Sequence, residues 1–216
     1  MPLYTTDALI LRTYKLGESD RIVVFLTRDR GKKRGVAKNA RQSRRRFGGA
    51  LEPLTLGRVG YMERERRDLV SLHYVEPVRS PLSAGDVDAL GHVSYFAELI
   101  DEWAPEADPN ETLFRLGASI VEALVAGVAV APLARYFEYW LLRLQGVYET
   151  DVELSDGART FLDAARRSTP FAIGGVPVAP ADLRELEAAH RRLIARHLEK
   201  DLKSVRVLRE MHQGQR

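Results

Sequence analysis

The residues best suited to chemistry in this chain are basic and lie close together near its start. Between Arg28 and Arg46, ten of nineteen residues are Lys or Arg, and Asp29 is the one acid. Each Lys or Arg that neutralises a phosphate releases condensed counterions, so such a segment binds nucleic acid without regard to base sequence. The alternative is a solvated loop with no partner. Because compensating acids are nearly absent, we favour nucleic-acid contact.

The predicted contacts extend over the segment and the strands before it. Within the segment they are Lys32, Lys33, Arg34, Lys38, Arg41, Arg44, Arg45 and Arg46. Arg12, Lys15 and Arg21 could lengthen the path. If about five of these cations contact a single strand, log affinity falls with log salt at a slope of about −3.5, and fourfold more salt weakens binding about 100-fold. Phe47 and Tyr61 could stack on bases, although core packing is the interpretation we favour.

A second basic group lies between residues 190 and 209, where seven Lys or Arg outnumber two acids. Four of them recur at helical spacing and would form a stripe: Arg192, Arg196, Lys200 and Lys203. The stripe is either a second nucleic-acid surface or a balance for the acidic residues around it, and both interpretations stay open.

Residues that would support catalysis or metal binding are scarce. Glu63, Glu65 and Asp68 alternate with arginines, which indicates a solvated hairpin tip. His190 and His197 would lie about 10 Å apart along a helix, too far to share one metal ion. The chain has no cysteine, which excludes disulfides and thiolate sites and fits a reducing compartment. Phosphate-loop and nucleophile motifs are also missing. We therefore expect no cofactor, no metal and no enzymatic activity.

Charge and periodicity divide the chain in two. Residues 1–80 carry 18 Lys/Arg and 9 Asp/Glu, whereas residues 81–216 carry 15 and 21. The first part predicts five short strands, at Tyr4–Tyr14, Arg21–Thr27, Arg34–Ala37, Leu54–Met62 and Asp68–Val78. The second predicts helices at Asp86–Trp103, Asn110–Val128, Pro132–Leu144, Ser155–Arg167 and Ala181–Lys200. We predict an α+β fold in which a five-stranded OB-fold β-barrel (1–80) precedes an α-helical domain (81–216), with the basic segment between strands three and four.

Two apolar stretches bear on where the protein resides. The run Ala8–Leu11 is too short for a secretion signal, and Gly117–Ala134 is interrupted by Glu122 and Pro132. We therefore expect no membrane association and a cytoplasmic, nucleoid-associated protein.

Several segments, in order along the chain, resemble the RecO family of bacterial recombination mediators. They are ALILR (8–12) with GESDR (17–21), GVAKNAR (35–41), FGGALEP (47–53), RYFE (135–138) and a C-terminal stretch from Leu193 to Leu208. The resemblance implies an OB fold joined to a helical domain, binding of single- and double-stranded DNA, and annealing of complementary strands. It also implies work with RecR to load RecA onto strands coated by single-stranded DNA-binding protein (SSB), without nucleotide hydrolysis.

The same resemblance implies that the acidic C-terminal tail of SSB docks on the helical domain. An arginine would bind a carboxylate of the tail, and a hydrophobic pocket would bind an apolar side chain of the tail. The candidates are Arg135, Leu141 and Arg143. The alternative for Arg135 is an ion pair with Glu138.

One departure from the family and two rival functions complete the prediction. Many RecO proteins carry a four-cysteine zinc module after the RYFE helix, whereas residues 148–155 read YETDVELS here. We predict that the module, and with it any metal, is absent. The rivals are an adaptor whose basic loop touches RNA, for example on the ribosome, and a metal-free hydrolase.

Overall fold

The computed structural model describes residues 2–63, 68–84, 87–148, 153–200, 202–206 and 208. The strands are β1 (Leu3–Leu16), β2 (Asp20–Thr27), β3 (Gly31–Ala37), β4 (Leu56–Met62) and β5 (Val70–Arg79). A one-turn helix, α1 (Arg44–Phe47), lies between β3 and β4. The longer helices are α2 (Val87–Trp103), α3 (Glu111–Val125), α4 (Val130–Leu144), α5 (Asp156–Arg167) and α6 (Pro180–Leu198). The α+β prediction and the order of its ten elements are confirmed.

The five strands close into a barrel in the order β1-β2-β3-β5-β4, with β4 returning to pair with β1. The β3–β5 pairing is parallel and the other four are antiparallel. A small, five-stranded barrel of this kind is the OB fold. The predicted barrel is therefore confirmed.

The middle of β1 and most of β2 are buried on both faces, which explains the nearly continuous apolar sequence of these stretches. Ile10 and Phe25 point into the barrel, whereas Leu9, Val24 and Leu26 belong to the core of the helices. Alternate side chains of a strand point to opposite faces, so a two-sided core needs apolar residues at successive positions. The outer face of the barrel thus forms one wall of the helical core.

A glycine permits a close approach between helix and barrel. A Cβ on Gly117 of α3 would lie 2.6 Å from Leu9 Cδ1 and 2.9 Å from Ile100 Cδ1. The apolar core consequently crosses the predicted boundary between residues 80 and 81. We propose that the chain is organised in two parts, residues 1–80 and 81–216, and that these two parts share one apolar core.

The helix ends follow the signals in the sequence. The Asn110 side chain accepts a hydrogen bond from Leu113 N at 3.0 Å, and Ser155 Oγ accepts one from Ala158 N at 3.2 Å, so each residue caps the N-terminus of its helix. Helix α6 begins at Pro180 and ends at Leu198, where Glu199 takes a left-handed conformation with φ +52°. The predicted helix to Lys200 is therefore two residues too long.

Strand β3 corrects the placement of the basic segment. The strand begins at Gly31 rather than at Arg34, so Lys32 and Lys33 belong to the sheet and only the later cations lie in the loop before β4. None of the helices in the described part of the chain combines the length and the apolar composition that a bilayer crossing requires.

Candidate nucleic-acid interface

One end of the barrel gathers the turn between β1 and β2 and the long loop after β3. Because β1 leads up to this turn and β3 runs antiparallel to β2, both segments emerge on the same side. Two hydrogen bonds from backbone N–H groups connect them: Asn39 N donates to the side-chain Oδ1 of Asp20 at 2.8 Å, and Arg41 N donates to Ser19 O at 3.2 Å. The basic loop is therefore held against the hairpin.

Besides Lys15, which is the strand partner of Arg21, five cations occupy this end, and we call these five the barrel-end cations: Arg21, Lys38, Arg41, Arg45 and Arg46. Lys38, Arg41 and Arg45 are exposed, and the other two are half-buried. Among the residues that the structure describes, no carboxylate forms an ion pair with any of the five. Their charge is thus available to an anionic partner.

Two of these arginines are oriented by hydrogen bonds to uncharged groups. Arg46 donates to Ser43 Oγ and to Lys38 O, both at 2.9 Å, and its guanidinium lies 5.1 Å from the centre of the Phe47 ring. Arg41 donates to Glu18 O at 3.0 Å. A guanidinium has five N–H groups, so both retain donors for phosphate oxygens. The side chain of Arg44, another predicted contact, lies outside the part of the chain that the structure describes.

An open groove follows the same end of the barrel. The groove is lined by Arg21, Arg41 and Glu52 together with Phe47, Gly48 and Gly49. Phe47 and Tyr61 are both buried in the barrel core, so neither presents a ring face to a base. Core packing is the correct interpretation for these two aromatic residues.

One cation of β1, Arg12, and two of β3, Lys32 and Arg34, face carboxylates of the helical part. Lys32 is 8% exposed, and its Nζ donates to Asp101 O at 2.7 Å and lies 3.3 Å from Asp101 Oδ1. Arg12 NH2 lies 2.5 Å from Asp101 Oδ2, and Arg34 donates to Glu106 Oε1 at 2.7 Å. We therefore leave Lys32 out of the interface, because its charge is buried and paired.

Two further cations of the segment are also paired. Lys33 lies near an opening of the barrel, where Nζ donates to Glu63 Oε1 at 2.9 Å. Arg28 in the β2–β3 turn pairs with Glu111 at 3.0 Å. Partners 30 and 83 residues away along the chain carry no local signal, so the sequence could not identify them. Glu65, part of the predicted hairpin tip, lies outside the described residues.

The C-terminal stripe is interrupted. Arg192 and Arg196 are exposed on α6, but the helix ends before Lys200, which pairs with Glu102 of α2. Lys203 is exposed in the segment that follows, and its backbone N donates to Glu98 at 3.0 Å. The four residues thus do not form one continuous helical row, and Lys200 joins the C-terminal segment to α2.

The three residues predicted to receive the SSB tail lie in different environments. Arg135 is 7% exposed at its side chain and pairs with Glu138 at 3.0 Å. Leu141 is fully buried in the bundle. Arg143 is exposed, and it donates to the Tyr139 hydroxyl at 2.9 Å. The structure therefore does not bring the three side chains into one pocket.

Glu138 is the centre of a buried polar cluster on α4. Tyr95 donates to its Oε1 at 2.7 Å, and His190 Nδ1 lies 3.0 Å from its Oε2. Burial alone would raise the pKa of Glu138, but the Arg135 charge and the hydrogen bonds from His190 and Tyr95 outweigh it and hold that pKa below its ordinary value. The ion pair that was the alternative for Arg135 is present. An adjoining groove is lined by Arg135 and Arg191 and by the apolar Val205 and Leu208.

Over the described ranges, no group of three His, Asp or Glu side chains is arranged to hold a metal ion. Residues 149–152, within the segment where the zinc module of other family members would be inserted, lie outside those ranges.

These features define a class of protein: an OB-fold barrel with a cationic end, fused through a shared core to a helical bundle. Residues 1–81 match the family model described as recombination protein O N terminal, and residues 84–148 match recombination protein O C terminal. The chain belongs to the recombination protein O, or RecO, family.

Individual relatives agree with this assignment. The chain is 48% identical over 149 residues to the DNA repair protein RecO of Koribacter versatilis, covering 67% of this chain and 59% of that protein. It is 41% identical over 164 residues to the DNA repair protein RecO of Geobacter sulfurreducens, covering 75% of this chain and 67% of that protein. It is 41% identical over 140 residues to the DNA repair protein RecO of Anaeromyxobacter sp. strain K, covering 64% of this chain and 55% of that protein. The chain thus spans between about half and two thirds of these relatives.

Proposed function

We propose that this chain is a DNA-binding recombination mediator that takes part in DNA repair and anneals complementary strands. The observation that carries the proposal is the set of five barrel-end cations, none paired with a described carboxylate, in a chain of the RecO family. Their contribution to affinity is electrostatic and independent of base sequence. The activity requires positioning and charge only, so we propose a non-enzymatic role.

Annealing follows from charge neutralisation. Two complementary strands repel each other through their phosphates, and a surface that neutralises several phosphates on each strand lowers that repulsion. The groove beside Arg21 and Arg41 gives one strand a path along the end of the barrel. Single-stranded nucleic acid is bound in this way by other cationic OB folds.

The charge pairs described above favour the barrel end over the rest of the basic segment. Arg12, Lys32 and Arg34 each face a carboxylate of the helical part, so a phosphate there would have to displace an internal partner. An exposed pair such as Arg34–Glu106 is worth little, about 0–1 kcal/mol, and can be exchanged. The buried Lys32–Asp101 pair cannot be exchanged at comparable cost.

We further propose that RecR and the SSB C-terminal tail are partners of this activity, and that the protein with RecR helps to load RecA onto SSB-coated strands. For the SSB tail, the groove beside Arg135 offers a half-buried cation, Arg191, which pairs with Glu187, and the apolar Val205 and Leu208. Titration of a synthetic SSB C-terminal peptide into Arg191→Glu, with Arg184→Glu on the same helix as the control, tests this site. Equal affinity in both variants would remove the groove from the proposal.

The DNA-binding surface is tested by charge reversal at the barrel end. We compare Arg21→Glu/Lys38→Glu/Arg45→Glu with a control of the same charge change on exposed helix positions, Arg115→Glu/Arg167→Glu/Arg184→Glu. Affinity for a labelled oligonucleotide is measured by fluorescence anisotropy over a range of salt concentrations. We expect the first variant to lose about 100-fold in affinity and its salt slope to be shallower by about 2, at ~0.7 per phosphate contact.

The control is expected to keep the wild-type slope. Equal losses in both variants would mean that net charge, rather than the barrel end, determines binding. A wild-type protein that fails to bind DNA at low salt would contradict the proposed function itself.

A further inference from the structure

Tyr14, near the end of β1, is an aromatic side chain left open to solvent on the barrel. Its side chain is 44% exposed, although the other aromatic residues of the barrel include the buried Phe25, Phe47 and Tyr61. A tyrosine ring that stays exposed beside cations has an apolar face and a polar hydroxyl, both of which are able to contact a ligand.

The strand register places Tyr14 in an apolar row across three strands. Tyr14 pairs with Ile22 of β2, and Ile22 pairs with Val36 of β3. Paired residues share a face of the sheet. Val24 lies two residues after Ile22 and points outward into the helical core, so the row of Tyr14, Ile22 and Val36 also points outward.

The helical part covers the neighbouring row but not this one. Arg12, Val24 and Arg34 form the next row, where Arg12 pairs with Asp101 and Arg34 with Glu106. Val24 is buried there, whereas Ile22 and Val36 are only half-buried. The cover thus stops one row short of Tyr14 and leaves the apolar row open.

Cations border the open row on two sides. The Arg12 guanidinium lies 5.3 Å from the centre of the Tyr14 ring and is itself held by Asp101, so it orients the aromatic side chain. On the other side, the exposed Lys38, one of the barrel-end cations, follows Val36 by two residues at the end of β3. An apolar row next to cations fits a polymer whose unpaired bases and phosphates alternate.

We propose that Tyr14, with Ile22 and Val36, is a stacking platform for an unpaired base of single-stranded DNA whose phosphates lie on the barrel-end cations. This inference rests on the proposed function and adds a contact to an unpaired base, which duplex DNA does not offer because its bases stay stacked inside the helix. The face formed by strands two and three is where OB folds take up oligonucleotides, and here Tyr14 extends the part of it that the helices leave free.

The test separates base contacts from phosphate contacts. Affinities are measured for a thymidine oligonucleotide and for an abasic strand with the same number of phosphates. We expect wild type to prefer the thymidine strand and Tyr14→Ala to lose about tenfold for that strand alone, with an unchanged salt slope. We expect Tyr14→Phe, which keeps the aromatic ring, to keep the wild-type preference for the thymidine strand. Phe171→Ala, which removes a 50% exposed aromatic side chain of the helical part, leaves it unchanged.

A second measurement does not depend on the folding of a variant. Wild type is photocrosslinked to a strand that carries 5-iodouracil, and the crosslinked peptide is identified by mass spectrometry. A crosslink at Tyr14 supports the platform, and a crosslink confined to other residues overturns it. Equal wild-type affinity for the thymidine and abasic strands also overturns it while the proposed function stands. No binding to either strand overturns both.

Discussion

Lys32 and Lys38 lie six residues apart in the same basic segment, but their ammonium groups meet different surroundings. Lys32 points to the helical part and is held by the buried carboxylate of Asp101, whereas Lys38 is exposed. A buried ion pair whose partner is removed leaves an uncompensated charge, which costs far more than loss of an exposed pair. Asp101 therefore supports the contact between barrel and helices.

We expect Asp101→Asn to lower the free energy of unfolding by about 3 kcal/mol, because Lys32 and Arg12 lose their shared carboxylate. Glu111→Gln, which removes the exposed partner of Arg28, is the control and is expected to cost less than about 1 kcal/mol. Urea unfolding followed by circular dichroism measures both. Equal costs for the two variants would show that the Asp101 pair is not a stabilising contact.

The contribution of Glu138 to the free energy of unfolding is expected to depend on pH. Its pKa is lowered in the folded protein, so the stabilisation is fully present above the unfolded value of about 4.3 and is lost as pH falls through the folded pKa. We expect Glu138→Gln to be less stable than wild type by about 3 kcal/mol at pH 7, since Arg135 and His190 lose a charged partner. The difference narrows as the pH falls below about 4. Urea unfolding at pH 7 and pH 3 measures it, and a constant difference would contradict the lowered pKa.

At the scale of elements, local sequence patterns predict the strands of the barrel, but they do not predict which of its side chains are exposed and which are paired. Apolar β-branched runs predicted β1 and β2, and their lack of polar alternation reflects burial on both faces. The start of β3 was missed because Lys32 and Lys33 look like loop residues. Only the fold supplies Asp101 and Glu63 as their partners. The exposure of Tyr14 likewise depends on where the helices stop.

Gly31 of β3 packs closely against the loop between α2 and α3, and a substitution there tests how rigid this contact is. It has φ +67°, and a Cβ there would lie 2.4 Å from Asp108 N and Asp108 O. Gly17 has φ +60° with no atom within 4 Å of its Cβ position, so Gly17→Ala carries the left-handed strain alone, about 1–2 kcal/mol. We expect Gly31→Ala to lower the free energy of unfolding by at least about 2 kcal/mol more than Gly17→Ala, measured by urea unfolding. Similar losses would mean that the loop moves away without cost.

At the scale of the whole molecule, barrel and helices form one folding unit. Leu9, Val24 and Leu26 of the barrel and Ile100 of α2 belong to the same apolar core. We expect a single calorimetric transition for the chain, and aggregation or dye binding by a fragment of residues 1–80, whose outer face would expose this core. Two separate transitions, or a soluble folded fragment, would contradict the shared core.

The charge asymmetry of the whole chain also acquires a structural meaning. The barrel part has net charge +9 and the remainder −6, and carboxylates of the helical part neutralise the cations on one side of the barrel. What remains positive is the end formed by the hairpin and the basic loop. The central claim is therefore that this end brings complementary strands together.

The most direct measurement is annealing of complementary oligonucleotides coated with the cognate SSB, followed by fluorescence energy transfer at low and moderate salt. We expect wild type and Arg115→Glu/Arg167→Glu/Arg184→Glu to anneal them, and Arg21→Glu/Lys38→Glu/Arg45→Glu, folded by circular dichroism, to fail. If the barrel-end variant anneals as fast as wild type, or if wild type anneals at neither salt concentration, the account of this surface as the strand-pairing site is contradicted.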